Sequence, residues 1–522
     1  MRPTALSPVC QGIVVTGLFA GSAVSAAPTP SPSSAGPVVL YVGASHTAPI
    51  PPVVEQLAAA MAPAETVTTR LYYRGGRGIS SLWQESPLPA NNGHVLSWIR
   101  YPDPPGPGPL RGWDGRRADR AMINPISGEQ YDEDRLYFWV RLYRHAFARH
   151  GIKSKPLVYI SHQGMRPSEH NFMYSFKSEA AAREELRVLN NGCLRIATEL
   201  NVEVVPSYLA CYNAKRARPD MDLNFGSGDP FHPGSRCVYL QACMVYGVLF
   251  NRSPEGSALR VVKTRDVKEL TLTDDEALFL QRTAWDSLQE WRRMVAERQA
   301  ALARGQVPAL VQKPRVLVIG APYIDDYRQA LRQRVLDQRN AEVIFAPSGP
   351  GLASEALEGV DDWLGDQKWA LVTFSRGTTE LAEQTPPREF EKSLRALVSR
   401  LKRNGAPLLW TGILPVAFQS QVLKSAEAAA LPAPDPSTPY TMNRDYTQTR
   451  SRSIAPGAKP LTVVAGKVME ERGLTLDPIY AEKTGGLFAP GGQPAERVIT
   501  QGDWIQLAEW LADSVGRRVN TP

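Results

Sequence analysis

No histidine occurs between Pro233 and Pro522; all seven in this 522-residue chain lie in the first 232 positions. Histidine titrates near neutrality and is the commonest general base. Its absence therefore confines any histidine-dependent hydrolysis to the N-terminal half. Runs of Lys or Arg are missing as well, so the net charge of +7 reads as a solvated surface and not as a nucleic-acid patch. There is no H-x-x-H or H-E-x-x-H spacing, which argues against a metal. The C-terminal half lacks G-x-G-x-x-G, which argues against a dinucleotide site. Past the N-terminus no apolar run approaches the roughly 20 residues that a membrane span requires.

What is present is ordinary for a soluble globular protein: 43% apolar and 21% charged residues. The length suggests two or more domains. Residues 1–27 read as a signal peptide, with Arg2, a short apolar core at 13–20 and small residues ending at Ala27. A Pro/Ser-rich spacer covers 28–36. The protein is therefore expected outside the cytoplasm, secreted or periplasmic. Loss of the leader removes Cys10 and leaves Cys193, Cys211, Cys237 and Cys243. Cys237 and Cys243 are expected on one helix and not bridged to each other. Disulfides and buried thiols both remain open for the set.

Apolar runs alternate with helix patterns along both halves, which implies mostly parallel sheets covered on both faces. The first half opens with a strand at 38–42, a turn at Gly43-Ala44-Ser45-His46 and a helix. A Pro/Gly-rich insertion follows, then a helix over 132–149, a strand at 156–160 and the turn Ser161-His162-Gln163-Gly164. A helix over 179–200, a strand at 202–205 and a helix over 235–250 complete it. Thr273 and Glu276 form a capping-box pattern, so a helix is expected from there to about residue 304. The expected division is 37–272 for the first domain, 273–312 for a connecting helix and linker, and 313–522 for the second domain.

Ser45 stands at the tip of the first strand, ahead of a helix, where open α/β sheets build their sites. Asp229 and His232 are separated by two residues in a Gly/Asp/Pro-rich segment read as a tight turn, which would let a carboxylate orient an imidazole. Taken in order, Gly43-x-Ser45, the glycine cluster at Gly75, Gly76 and Gly78, the polar turn at Gln163, and Asp229-x-x-His232 before a helix resemble the SGNH, or GDSL-like, hydrolases. The resemblance covers roughly residues 37–255. It implies a flavodoxin-like three-layer α/β/α fold, with Ser45 as nucleophile, His232 as base and Asp229 as the acid that orients it. It further implies an oxyanion hole from the backbone of Ser45, a glycine that is Gly76 or, by preference, Gly78, and an amide side chain, here Gln163. Two positions depart from the pattern. Ala44 replaces the usual Asp or Asn, and Gln163 replaces Asn.

His46 and His162 are candidates for substrate contact, as are Trp98 and Trp113 in the insertion, whose aromatic faces suit a sugar or acyl chain. The C-terminal half resembles the same architecture without its chemistry: Gly320-Ala321-Pro322 stands where Gly43-Ala44-Ser45 stands, and no Asp-x-x-His occurs there. The expectation is a pair of α/β/α domains joined by a long helix, the second degenerate, in a secreted serine esterase. Its substrate would be a small-molecule or carbohydrate ester, with no cofactor, no nucleic acid and no stable membrane insertion. The alternative is a non-catalytic carbohydrate-binding or cell-envelope scaffold.

Overall fold

Every residue of β1 (Val38–Gly43) is buried, as a near-continuous apolar run becomes when a parallel sheet is covered on both faces. The computed structural model describes residues 36–62, 66–73, 78–85, 118–126, 128–149, 151–152, 154–161, 178–226, 229–264, 267–321, 325–347, 352–377, 380, 385–412, 458–474 and 501–519. After β1 come α1 (Ile50–Met61), β2 (Thr68–Tyr73), α2 (Ile79–Glu85), β3 (Arg120–Ile123), α3 (Gly128–Tyr131), α4 (Glu133–Arg149), β4 (Leu157–Tyr159), α5 (Glu179–Glu199), β5 (Glu203–Val205) and α6 (Ser207–Ala217). The five strands pair in parallel in the order β2-β1-β3-β4-β5. The order reverses beside β1, and open α/β sheets place their sites at the carboxyl ends of the strands that flank such a reversal, here β1 and β3.

An antiparallel pair, β6 (Asn224–Gly226) and β7 (Asp229–Pro233), leads into α7 (Ser235–Phe250). The short pair β8 (Val261–Val262) and β9 (Leu270–Thr271) precedes α8 (Asp274–Ala303). Thr273 caps α8: its hydroxyl accepts from the Glu276 amide at 3.2 Å, and the Glu276 carboxylate accepts from the Thr273 amide at 2.9 Å. Ala277, Leu280, Ala284, Leu288 and Trp291 line the buried side of α8, which packs on α5, α6 and α7.

The chain continues through β10 (Arg315–Ile319), α9 (Asp325–Arg339), β11 (Glu342–Phe345), α10 (Ala353–Leu364), β12 (Leu371–Phe374), α11 (Pro387–Arg403), β13 (Leu408–Trp410), α12 (Ala458–Glu471) and α13 (Gln501–Gly516). Its four strands are parallel in the order β11-β10-β12-β13. Alternate residues of β10 serve opposite faces. Val316 and Val318 meet Leu331 of α9 and Leu511 of α13, whereas Leu317 and Ile319 join a core containing Val360 of α10 and Leu397 of α11. That core is continuous with the one under β1. Phe138 of α4 meets Trp369 edge to face, ring centres 5.6 Å apart.

The sequence reading differs from this architecture in identifiable places. The segment holding Asp229 and His232, expected as a tight turn, is extended backbone paired with β6. Pro230 and Pro233 suit a two-stranded ladder, where a missing N–H is tolerated. The strands β2 and β3 and the helices α2, α6 and α10 were not anticipated. No helix among the described residues is long and apolar enough to cross a membrane. The expected leader, most of the spacer, and the insertion with Trp98 and Trp113 lie outside the described residues, as do His162 and Gln163.

Candidate active site

The turn after β1 is closed by main-chain hydrogen bonds and by a close approach that requires glycine at 43. The amide of Thr47 donates to the Ala44 carbonyl at 2.9 Å, and that of Ala48 to the Ser45 carbonyl at 3.3 Å. A Cβ on Gly43 would lie 2.9 Å from Cβ of Asn124 and collide with Oγ1 of Thr47, so a residue without a side chain is required there. Pro51 and Pro52 then open α1, where a missing N–H costs nothing. Ser45 is left half-buried beyond the carboxyl end of β1.

Asn124 immediately follows β3 and is fully buried. Its amide N–H donates to the Val42 carbonyl at 2.8 Å. Its side-chain Oδ1 accepts from Oγ1 of Thr47 at 2.9 Å, and its Nδ2 donates to the Tyr159 carbonyl at 2.9 Å. One side chain thus ties the Ser45 turn to the end of β4. Sequence reasoning missed Asn124 because it missed β3.

His232 reaches Ser45 from 187 positions away: Nε2 lies 3.0 Å from Oγ. The two meet because Ser45 precedes α1, His232 precedes α7, and α1 packs against α7. The Gly234 amide donates to the Leu223 carbonyl at 2.8 Å and fixes the chain between β7 and α7. His46 is only 2% exposed, and its ring lies against that of His232 with centres 5.2 Å apart and planes tilted by 31°. A serine hydroxyl within hydrogen-bond reach of an imidazole is the arrangement that can deprotonate the hydroxyl as it attacks. The backbone of Asp229 belongs to β7, three residues before His232.

Gly78 immediately precedes α2. A Cβ there would stand 2.5 Å from Cδ of Glu129. The Glu129 carboxylate accepts from the amides of Ile79 at 3.0 Å, Ser80 at 2.8 Å and Ile126 at 3.1 Å. The four cysteines Cys193, Cys211, Cys237 and Cys243 are buried and unbridged, with Sγ of Cys211 3.5 Å from Sγ of Cys237. Burial pushes the Cys193 thiol up to about 12, the opposite of an activated nucleophile.

The second sheet repeats this frame. Val42 pairs with Ile123 as Ile319 pairs with Phe374. Gly320 therefore stands at the position of Gly43, with φ of 86°, and Ser375 at that of Asn124. The Ser375 amide donates to the Ile319 carbonyl at 3.0 Å, and its hydroxyl to the Gly412 carbonyl at 2.8 Å. Glu380, buried like Glu129, accepts from the first amide of α10, Ala353, at 2.6 Å and from Gly377 at 3.0 Å. Pro322, aligned with Ser45, lies outside the described residues.

No family model matches the sequence, and no curated protein matches it significantly. Among solved structures the chain is similar to TesA (16% identity over 38% of this chain and 97% of that one, TM-score 0.26). It is similar to the psychrotrophic esterase EstA from Pseudoalteromonas sp. (12% identity over 39% of this chain and 98% of that one, TM-score 0.26). It is also similar to a protein assigned to the SGNH hydrolases from Slackia heliotrinireducens (16% identity over 39% of this chain and 100% of that one, TM-score 0.25). The structural neighbours of this α/β chain include proteins described as an SGNH hydrolase and as a lipolytic protein of the G-D-S-L family.

Proposed function

We propose that the chain is an exported serine esterase of the SGNH type, with its chemistry confined to the first sheet. The observation that carries this reading is the 3.0 Å separation of Ser45 Oγ and His232 Nε2. Ser45 Oγ attacks the ester carbonyl while His232 takes its proton. The tetrahedral intermediate collapses with cleavage of the bond to the alcohol, which leaves with the proton from His232. Water, deprotonated by the same ring, then releases the acid and restores Ser45. Asp229 orients His232. The backbone of Ser45, Gly78 and Gln163 supply the oxyanion donors.

The substrate is an O-acetylated carbohydrate or a small acyl ester, and His162, Trp98 and Trp113 are its candidate contacts. His46 packs against His232. The segment 313–522 is a second, degenerate copy of the fold, joined to the first by the helix that Thr273 caps. Two features support a duplication: the shared strand order, and the paired placement of Glu129 and Glu380. The second copy has Pro322 in place of a nucleophile and no histidine.

The test is labelling with a fluorophosphonate probe alongside hydrolysis of p-nitrophenyl acetate. Loss of both in Ser45→Ala and in His232→Ala is the expected result. Full labelling of a folded Ser45→Ala variant removes the mechanism and leaves a non-catalytic scaffold as the better reading.

A further inference from the structure

We propose that Glu129 is a positioning residue of this active centre, holding the backbone around Gly78 in the conformation that the oxyanion hole needs. The inference rests on the esterase reading and adds a residue to it. Glu129 is 6% exposed, and its carboxylate receives three backbone amides from two separate segments. Ile79 and Ser80 belong to the start of α2, and Ile126 follows β3. One side chain therefore fastens the start of α2 to the segment after β3.

The fit at Gly78 is close. A Cβ there would meet both carboxylate oxygens and Cδ of Glu129, so the carboxylate and a bare backbone at 78 specify each other. With the amides of Ile79 and Ser80 occupied by Glu129, an oxyanion must be met by other donors, of which the Gly78 amide is the adjacent one. The second sheet supplies an internal comparison. Glu380 lies as far beyond Ser375 as Glu129 lies beyond Asn124 and caps α10 in the same way, but it serves a half without a nucleophile or a histidine. A purely structural cap would behave alike in both halves.

The experiment compares Glu129→Gln and Glu129→Asp with Glu380→Gln in the full chain. It reads kcat and KM for p-nitrophenyl acetate, the rate of fluorophosphonate labelling and the thermal midpoint. A carboxamide places an N–H2 group where a carboxylate oxygen received an amide, and Asp falls one methylene short. The expected result for Glu129→Gln is a kcat lower by about 10- to 100-fold with KM changed less than about two-fold, and labelling slowed in proportion. Glu129→Asp should fall in between. Glu380→Gln should lower the midpoint and leave kcat unchanged. Full kcat in a folded Glu129→Gln variant overturns the proposal, as does an equal loss of kcat in Glu380→Gln. If Glu129→Gln does not fold, full kcat in Glu129→Asp overturns it. Hydrolysis that survives Ser45→Ala is a different failure, because it removes the esterase reading beneath this one.

Discussion

Asp134 of α4 grips Arg315 of β10 with both carboxylate oxygens, at 3.1 Å from Nη1 and 2.7 Å from Nη2, and both side chains are nearly out of water. Arg315 completes its contacts with Glu342 at 2.9 Å and lies 4.3 Å above the ring of Phe138. The first and second sheets are thus joined by a desolvated ion pair as well as by a shared apolar core. Around it, Arg141 and Arg144 both reach Asp366, an exposed pairing of small individual worth.

Asp134→Ala removes one carboxylate partner and leaves the buried guanidinium with the Glu342 carboxylate, the Lys313 carbonyl and the Phe138 ring. Breaking a buried pair from one side costs about 3–5 kcal/mol, and the retained Glu342 contact puts the expectation at the lower end. Urea unfolding of the variant should show a midpoint well below that of the parent, with Asp366→Ala shifting it far less. Equal effects from the two variants would show that the buried pair has no special weight.

The positions legible in the sequence were those governed by local pattern. An apolar run with a polar tip marks β1 and Ser45, and the Thr273/Glu276 spacing marks the start of α8. Asn124 and Glu129 were not legible. Asn124 follows a strand only four residues long, preceded by a Pro/Gly-rich stretch that hides it. Glu129 acts on amides fifty and three positions away, and such a tertiary role leaves no periodic trace. The extended form of β7 was obscured for the opposite reason: its Gly, Asp and Pro content is that of a turn, and only the partner strand β6 makes it a ladder. His46, placed on sequence grounds as a substrate contact, is buried against His232, an outcome set by how α1 meets α7.

Gly43→Ala tests the turn that carries Ser45. The added methyl would meet Asn124 Cβ at 2.9 Å and press on Thr47, neither of which has room to retreat, since both are fully buried. Displacing a nucleophile by about 1 Å costs on the order of 100-fold in rate. Steady-state kinetics should show this loss in kcat with the protein still folded by circular dichroism. Unchanged kcat would mean that the turn can move without disturbing the hydroxyl.

Thr47→Val asks what the hydroxyl bond to Asn124 contributes. Valine keeps the shape and deletes the donor, so Oδ1 of a fully buried Asn124 loses the bond made at 2.9 Å. Orphaning a buried acceptor costs about 1–3 kcal/mol. The expected readout is a lower thermal midpoint together with a reduced rate of fluorophosphonate labelling, because the same bond tethers the Ser45 turn. A variant as stable as the parent would show that the amide of Asn124 finds another partner.

Glu185 gives the fold a pH dependence of predictable sign. It is 1% exposed on α5 and accepts a hydrogen bond from Tyr131. Burial pushes its carboxyl from the ordinary 4.5 up to about 7, with the Tyr131 bond acting in the opposite direction. The folded chain therefore keeps a proton that the unfolded chain releases. The stability this protonation provides is complete below about pH 4.5 and is lost as pH rises through about 7. A shift of that size corresponds to roughly 3 kcal/mol. Glu185→Gln holds the neutral form at every pH, so its urea midpoint should overtake that of the parent between pH 5 and about 8. Parallel pH profiles for parent and variant would place the Glu185 titration outside the folding equilibrium.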